Sequence, residues 1–110
     1  MEKFVKGAVV VIPFPFSNLT GTKRRPALVL ADLPGDDIIL CQITSVARLD
    51  IYAVPLINDD FISGSLSVES LIRPNKIFTA DKNIVLYTIG YLSDNKLSEV
   101  INYLVTLLQE

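Results

Sequence analysis

Histidine and tryptophan are absent from the 110 residues, and there is one cysteine, Cys41. Without an imidazole there is no His-based triad, no His-ligated zinc and no histidine general base. A single thiol makes no internal disulfide, which fits a reducing cytoplasm. No run of about 18 uncharged apolar residues is present, so no membrane-spanning helix is expected. The opening MEKFVKGAVVVIPFPF sets Pro13 and Pro15 where an export signal needs small residues, so no export signal is read there. Internal repeats, low-complexity tracts and linkers are also lacking. What is present is apolar: 50% of residues are hydrophobic and 20% charged. That composition excludes intrinsic disorder, and the length supports one domain over residues 1–110 with one core.

The formal net charge of −2 hides a gradient. From Lys3 to Ala31 the chain carries Lys3, Lys6, Lys23, Arg24 and Arg25 and no acid; after Glu2 the acids resume at Asp32 and dominate the second half. An isoelectric point near 5.0 argues against indiscriminate coating of nucleic acid, because phosphate affinity scales with the cations supplied. It leaves room for a local cationic site on an acidic body.

Punctuation falls every ten residues or so, as in small all-β domains. Gly7 to Ile12 is a β-branched run that reads as a strand buried on both faces, ended or bulged by Pro13 and Pro15. Residues 17–23 form a polar, glycine-containing loop. Further strands are expected at Pro26 to Leu30, Asp37 to Ser45, Ala53 to Ile57 and Ser67 to Ile72, with short ones at Lys76 to Thr79 and Leu86 to Leu92. The period then changes: Leu97, Val100, Ile101, Leu104, Val105 and Leu108 follow helical spacing, with Ser93 or Asp94 as N-cap. A helix of about 14 residues is marginal alone and must dock on the sheet. Five to seven short strands with one terminal helix predict a mainly β, strongly curved sheet or small barrel.

Three spots gather polar residues. The first is Thr20 to Pro26, with Lys23, Arg24 and Arg25 at the mouth of a strand. Pro26 holds Arg25 extended, and arginine offers a planar fork of donors suited to phosphate. The second is Gln42-Ile43-Thr44-Ser45 at a strand end, and the third is Arg73-Pro74-Asn75-Lys76. Taken singly these are ordinary turn chemistries: a solvated basic turn, a hydroxyl-rich strand end and a surface turn. Cys41 reads as a small buried hydrophobe. The adjacent pairs Asp36-Asp37 and Asp59-Asp60 point to opposite sides of an extended chain, and so are turn formers rather than metal ligands. Tyr52, Tyr87 and Tyr91 pack at the core edge or stack bases. Arg48 and Asp50 follow Ser45 in a loop lining the same site.

Together the segments GAVVVIPFPFSNLTGTKRRPALVLAD, IILCQITS and LIRPNKIFTADKNI…IGYLS resemble the MazF/PemK toxins of bacterial type II toxin–antitoxin pairs. The resemblance runs from about Gly7 to the terminal helix, and its most specific pieces are the strand leading to Phe14, the Arg25-Pro26-Ala27 junction and Ile43-Thr44-Ser45. It implies an SH3-like barrel of CcdB/PemK type and a metal- and cofactor-free, sequence-selective endoribonuclease acting on single-stranded RNA. It also implies a homodimer and a cognate antitoxin whose acidic segment folds over the cationic site. By position, Arg25 falls on the catalytic arginine and Thr44 on the catalytic threonine. Phe14 falls on an RNA-facing aromatic and Ser45 beside the threonine; Thr20, Lys23, Arg24, Gln42 and Lys76 complete the expected RNA contacts. Several family members carry a basic residue in the strand aligned with Lys76 to Ala80; this chain has Phe78, and Lys76 would supply the charge from two positions away. RNA is cut without metal when its own 2′-OH attacks the neighbouring phosphate, and a guanidinium stabilises the charge that gathers on the phosphoryl oxygens. No residue offers a near-neutral general base by default. Two rival readings use the same barrel: a gyrase-binding inhibitor without catalysis, and an SH3-like interaction module with Phe14, Phe16 and Tyr52 in a groove.

Overall fold

The β-branched run after Gly7 does form a strand, and it continues through Pro13 to Phe14. The computed structural model describes residues 4–14, 23–45 and 50–110, Phe14 by its backbone alone. In chain order the elements are β1 (Ala8–Phe14), β2 (Lys23–Asp32), β3 (Asp37–Thr44), β4 (Val54–Leu56), β5 (Phe61–Gly64), β6 (Ser70–Asp81), β7 (Tyr87–Leu92) and α1 (Asp94–Gln109). All seven strands join one antiparallel sheet in the order β4-β6-β3-β2-β1-β7-β5. The sheet curls into a half-barrel with the helix on it. Its two edge strands, β4 and β5, are consecutive in the chain and joined by a single 3-10 turn, Asn58–Asp60.

Local chemistry explains where the elements depart from expectation. Pro13 is tolerated inside β1 because β7 pairs only with Ala8 to Val11, so the proline removes no ladder bond from that side. The expected strands at 67–72 and 76–79 are one strand, β6. Its pairing with β3 jumps from Cys41↔Ile77 to Gln42↔Arg73, so Pro74, Asn75 and Lys76 bulge out rather than turn the chain. β5 was not expected; it packs so tightly on β7 that a Cβ on Gly64 would run into the Ile89 carbonyl oxygen. Gly64 also holds φ +82°, a conformation that favours glycine. The Ser93 side chain accepts from the Lys96 amide at 3.2 Å and caps α1.

Strict alternation divides the core in two. Val9, Leu28, Leu30, Cys41 and Ile43 point to one face, where Val54, Leu56, Ile72, Leu92 and the helix residue Val100 join them. Ala8, Val10, Ile12, Ala27, Val29, Ile38 and Leu40 point to the other, under Phe4, Phe78, Ile84 and Val85. Leu97 and Leu104 bring α1 onto the first face, while Val105 and Leu108, expected on the same apolar stripe, stand exposed. Lys96 Nζ donates to the Pro55 carbonyl at 3.1 Å and lies 2.9 Å from Glu99, pinning the helix start to edge strand β4. On the second face Lys82 Nζ sits 2.7 Å from Asp32 and donates to the carbonyls of Leu33 and Gly35, which locks the β2–β3 turn.

Candidate functional site

At one end of the second face the apolar rows give way to polar side chains. Ile12 pairs with Arg25, and Ala27 with Gln42. The pleat puts Arg25 on the side of Ala27 and Val29, and puts Gln42 and Thr44 on the side of Ile38 and Leu40, which is the same face. Arg25 and Thr44 each lie two residues beyond the last β2–β3 pair, Ala27↔Gln42, on that same face. The two groups, 19 positions apart along the chain, therefore share a wall. Arg25 and Gln42 are half-buried, whereas Thr44 is only 4% exposed.

Arg73 joins them. It pairs with Gln42, so it belongs to the same face, and its Nε donates to Asp50 Oδ2 at 2.8 Å. Asp50 Oδ1 in turn accepts from the Tyr52 amide at 2.9 Å, which orients the carboxylate. With both partners largely buried, this ion pair fixes the guanidinium, whose terminal nitrogens have no protein partner among the described residues. Arg73, expected in a surface turn, lies in β6. The signal that was available is the alternation of Ile72 with Leu71 and Arg73 in a strand.

Beside this wall opens a cleft of about 320 Å³. Lys23, Arg24, Arg25 and Ser45 line one side, with Leu66, Ser67, Val68 and Ser70 across from them. Among the described residues its lining carries three cations and no carboxylate. Lys23, Arg24 and Ser45 are exposed, so an anion reaches all of them. Of the expected contacts, Lys23, Arg24, Arg25 and Ser45 are thus brought together in the cleft lining, while Thr44 and Gln42 lie on the second face and outside that lining. Lys76 lies apart, exposed in the β6 bulge and outside the cleft lining. The Phe14 backbone pairs with Lys23; its side chain, together with Thr20, Phe16 and Arg48, lies outside the described residues. Burial pushes the Cys41 thiol from about 9 up to about 12, and its Sγ donates to the Arg73 carbonyl at 3.1 Å, so it is a core group.

Residues 5–108 match the PemK-like, MazF-like toxins of type II toxin–antitoxin systems. The chain belongs to that family. Solved structures share its fold. MazF from Deinococcus radiodurans superposes with a TM-score of 0.71 at 21% identity, covering 100% of both chains. A MazE–MazF complex from the same organism gives 0.73 at 24%, covering 94% of each. The Mycobacterium tuberculosis toxin MazF-mt6 gives 0.72 at 17%, covering 93% of this chain and 96% of that one. No curated protein matches the chain. For this MazF-like toxin, no described helix is long and apolar enough to cross a membrane.

Proposed function

We propose that this MazF-like chain is an endoribonuclease that cuts single-stranded RNA by attack of the RNA's own 2′-OH, with no metal or other cofactor taking part. The observation that carries the reading is the shared wall of Arg25 and Thr44 beside a cleft of three cations. In the step, the 2′-oxygen forms a bond to phosphorus and the bond to the 5′-oxygen breaks. The 2′-proton leaves and the 5′-oxygen takes one up, giving a 2′,3′-cyclic phosphate and a 5′-OH end. Charge builds on the phosphoryl oxygens, and Arg25 donates to them from a strand position paired with Ile12 of β1. Thr44 orients the reacting phosphate, and Ser45 contacts it from the cleft rim. Lys23, Arg24 and Arg73 hold neighbouring phosphates. The 2′-OH requirement makes DNA inert.

The neighbouring structures include an endoribonuclease in complex with its cognate antitoxin and MazE–MazF pairs, which support a toxin held in check by an antitoxin. Exposed Val105 and Leu108 on α1 support a homodimer as the working unit. The test is to map 5′-OH ends on a long defined RNA in EDTA. Cleavage by the wild type, blocked by a 2′-deoxy substitution at the scissile nucleotide and lost in Arg25→Ala, is expected. Inertness towards RNA together with inhibition of gyrase supercoiling, or with tight peptide binding, would overturn it in favour of a rival reading.

A further inference from the structure

Back to back with the cationic cleft lies a second one of the same volume, about 320 Å³, and Leu66, Ser67 and Val68 are the wall between them. Its polar lining has the opposite sign. Asp59 comes from the 3-10 turn that joins the two sheet edges, and Glu69 from the approach to β6. Among the described residues neither carboxylate has an ionic partner. Asn58 completes the rim. Its Oδ1 accepts from the Leu66 amide at 3.0 Å, which fixes the amide and leaves its N–H groups as the donors it offers. Ile57 and Val68 present exposed apolar surface.

Resting on the reading of the cationic cleft as the place where RNA phosphates lie, we propose that the second cleft is the base-reading subsite and that it selects guanine next to the scissile phosphate. Carboxylates repel a phosphate, so a strand anchored in the first cleft delivers a base, not backbone, across a wall of three residues. The cleft is of a size that holds small ligands and offers apolar surface for a ring. Two carboxylates accept hydrogen bonds and the Asn58 amide donates one. Guanine presents two adjacent donors, N1–H and the N2 amine, together with the O6 acceptor, and so satisfies the set. Uracil has one donor between two carbonyls, and cytosine and adenine present one amine beside ring acceptors that a carboxylate repels.

The experiment compares RNAs carrying guanosine or inosine, which lacks the N2 amine, at each position flanking the mapped cleavage site. The wild type should cut the guanosine RNA about tenfold faster at one flanking position, the worth of part of a bidentate contact. The double variant Asp59→Ala, Glu69→Ala should lose that preference while melting as the wild type does. Equal rates for guanosine and inosine at every flank, or a preference that survives in the double variant, would overturn the subsite. A wild type that cuts no RNA refutes the endoribonuclease reading instead. The subsite is then judged by the affinity for a short RNA 2′-deoxy at one nucleotide, guanosine against inosine, where equal binding overturns it.

Discussion

Replacing Arg25 isolates the charge-stabilising group, and the structure sets what each substitution should cost. Arg25 is half-buried on β2, paired with Ile12 of β1, and shares its face with Thr44. It starts preorganised, and it makes no ion pair with any described residue that its loss would orphan. Removing one such donor costs about 3–4 kcal/mol at the transition state, so Arg25→Ala should lower kcat roughly 100- to 1000-fold. Arg25→Lys keeps a point charge without the fork and should recover part of the loss, leaving a deficit on the order of tenfold. Folding should hardly register either change: a cost of about 0.5 kcal/mol moves Tm by roughly 2–4 °C in a domain of this size. Arg24 is the internal control, since it pairs with Pro13 and points to the opposite face while lining the same cleft. Arg24→Ala should raise KM, more so at high salt, with kcat nearly unchanged. Single-turnover cleavage at saturating enzyme separates the two parameters. An Arg25→Ala protein that cuts within threefold of the wild type, or an Arg24→Ala protein with the same kcat loss, would refute the assignment.

Two further outcomes follow from burial. Thr44 is 4% exposed, so its hydroxyl acts from a nearly buried position or not at all. Thr44→Val keeps the volume and should lose at least tenfold in kcat, whereas Thr44→Ser should retain most of it; equal activity in both would assign Thr44 to packing alone. For Cys41 the folded thiol is raised from about 9 to about 12 by burial, so above pH 9 the unfolded chain holds fewer protons and stability falls. Unfolding free energies from denaturant titrations should fall by up to about 1.4 kcal/mol per pH unit between pH 9 and 12 relative to Cys41→Ser, with parallel behaviour below pH 9; identical alkaline slopes would contradict the burial argument.

Much of the scaffold was legible because its causes are local. The β-branched runs at 8–12 and 37–44 pack on both faces and announce themselves, and the helical period after Leu97 is unambiguous. β5 was not legible. Its four residues carry no alternation, and it exists because Gly64 and Gly90 let two backbones approach, a relation across 26 positions. Arg73-Pro74-Asn75-Lys76 carries turn chemistry, yet β3 on one side and β4 on the other hold the residues before it in the ladder, and the proline is absorbed as a bulge. The site divides the same way. Arg25 and Thr44 could be nominated as residue types with a resemblance behind them. That they face one way depends on the β2–β3 register, and that Arg73 joins them depends on Asp50, 23 positions upstream.

The charge gradient along the chain becomes a spatial one through that topology. The acid-free stretch from Lys3 to Ala31 contributes Lys23, Arg24 and Arg25 to one cleft, while the acid-rich remainder contributes Asp59 and Glu69 to its neighbour. Only residues 66–68 separate the two, a thickness comparable to the screening length of about 8 Å at physiological salt. Patches of opposite sign therefore lie on adjacent surfaces, each partly offset by the other, and the net charge of −2 describes neither. A polyanion meeting this surface is drawn to one side of the wall and turned away from the other. The order of phosphate and base along the strand is set before any hydrogen bond forms. Selectivity built this way tightens as salt falls, so the guanosine preference and the Arg24 contribution to KM should weaken together as ionic strength rises, whereas the Arg25 effect on kcat, made at short range on a half-buried wall, should persist.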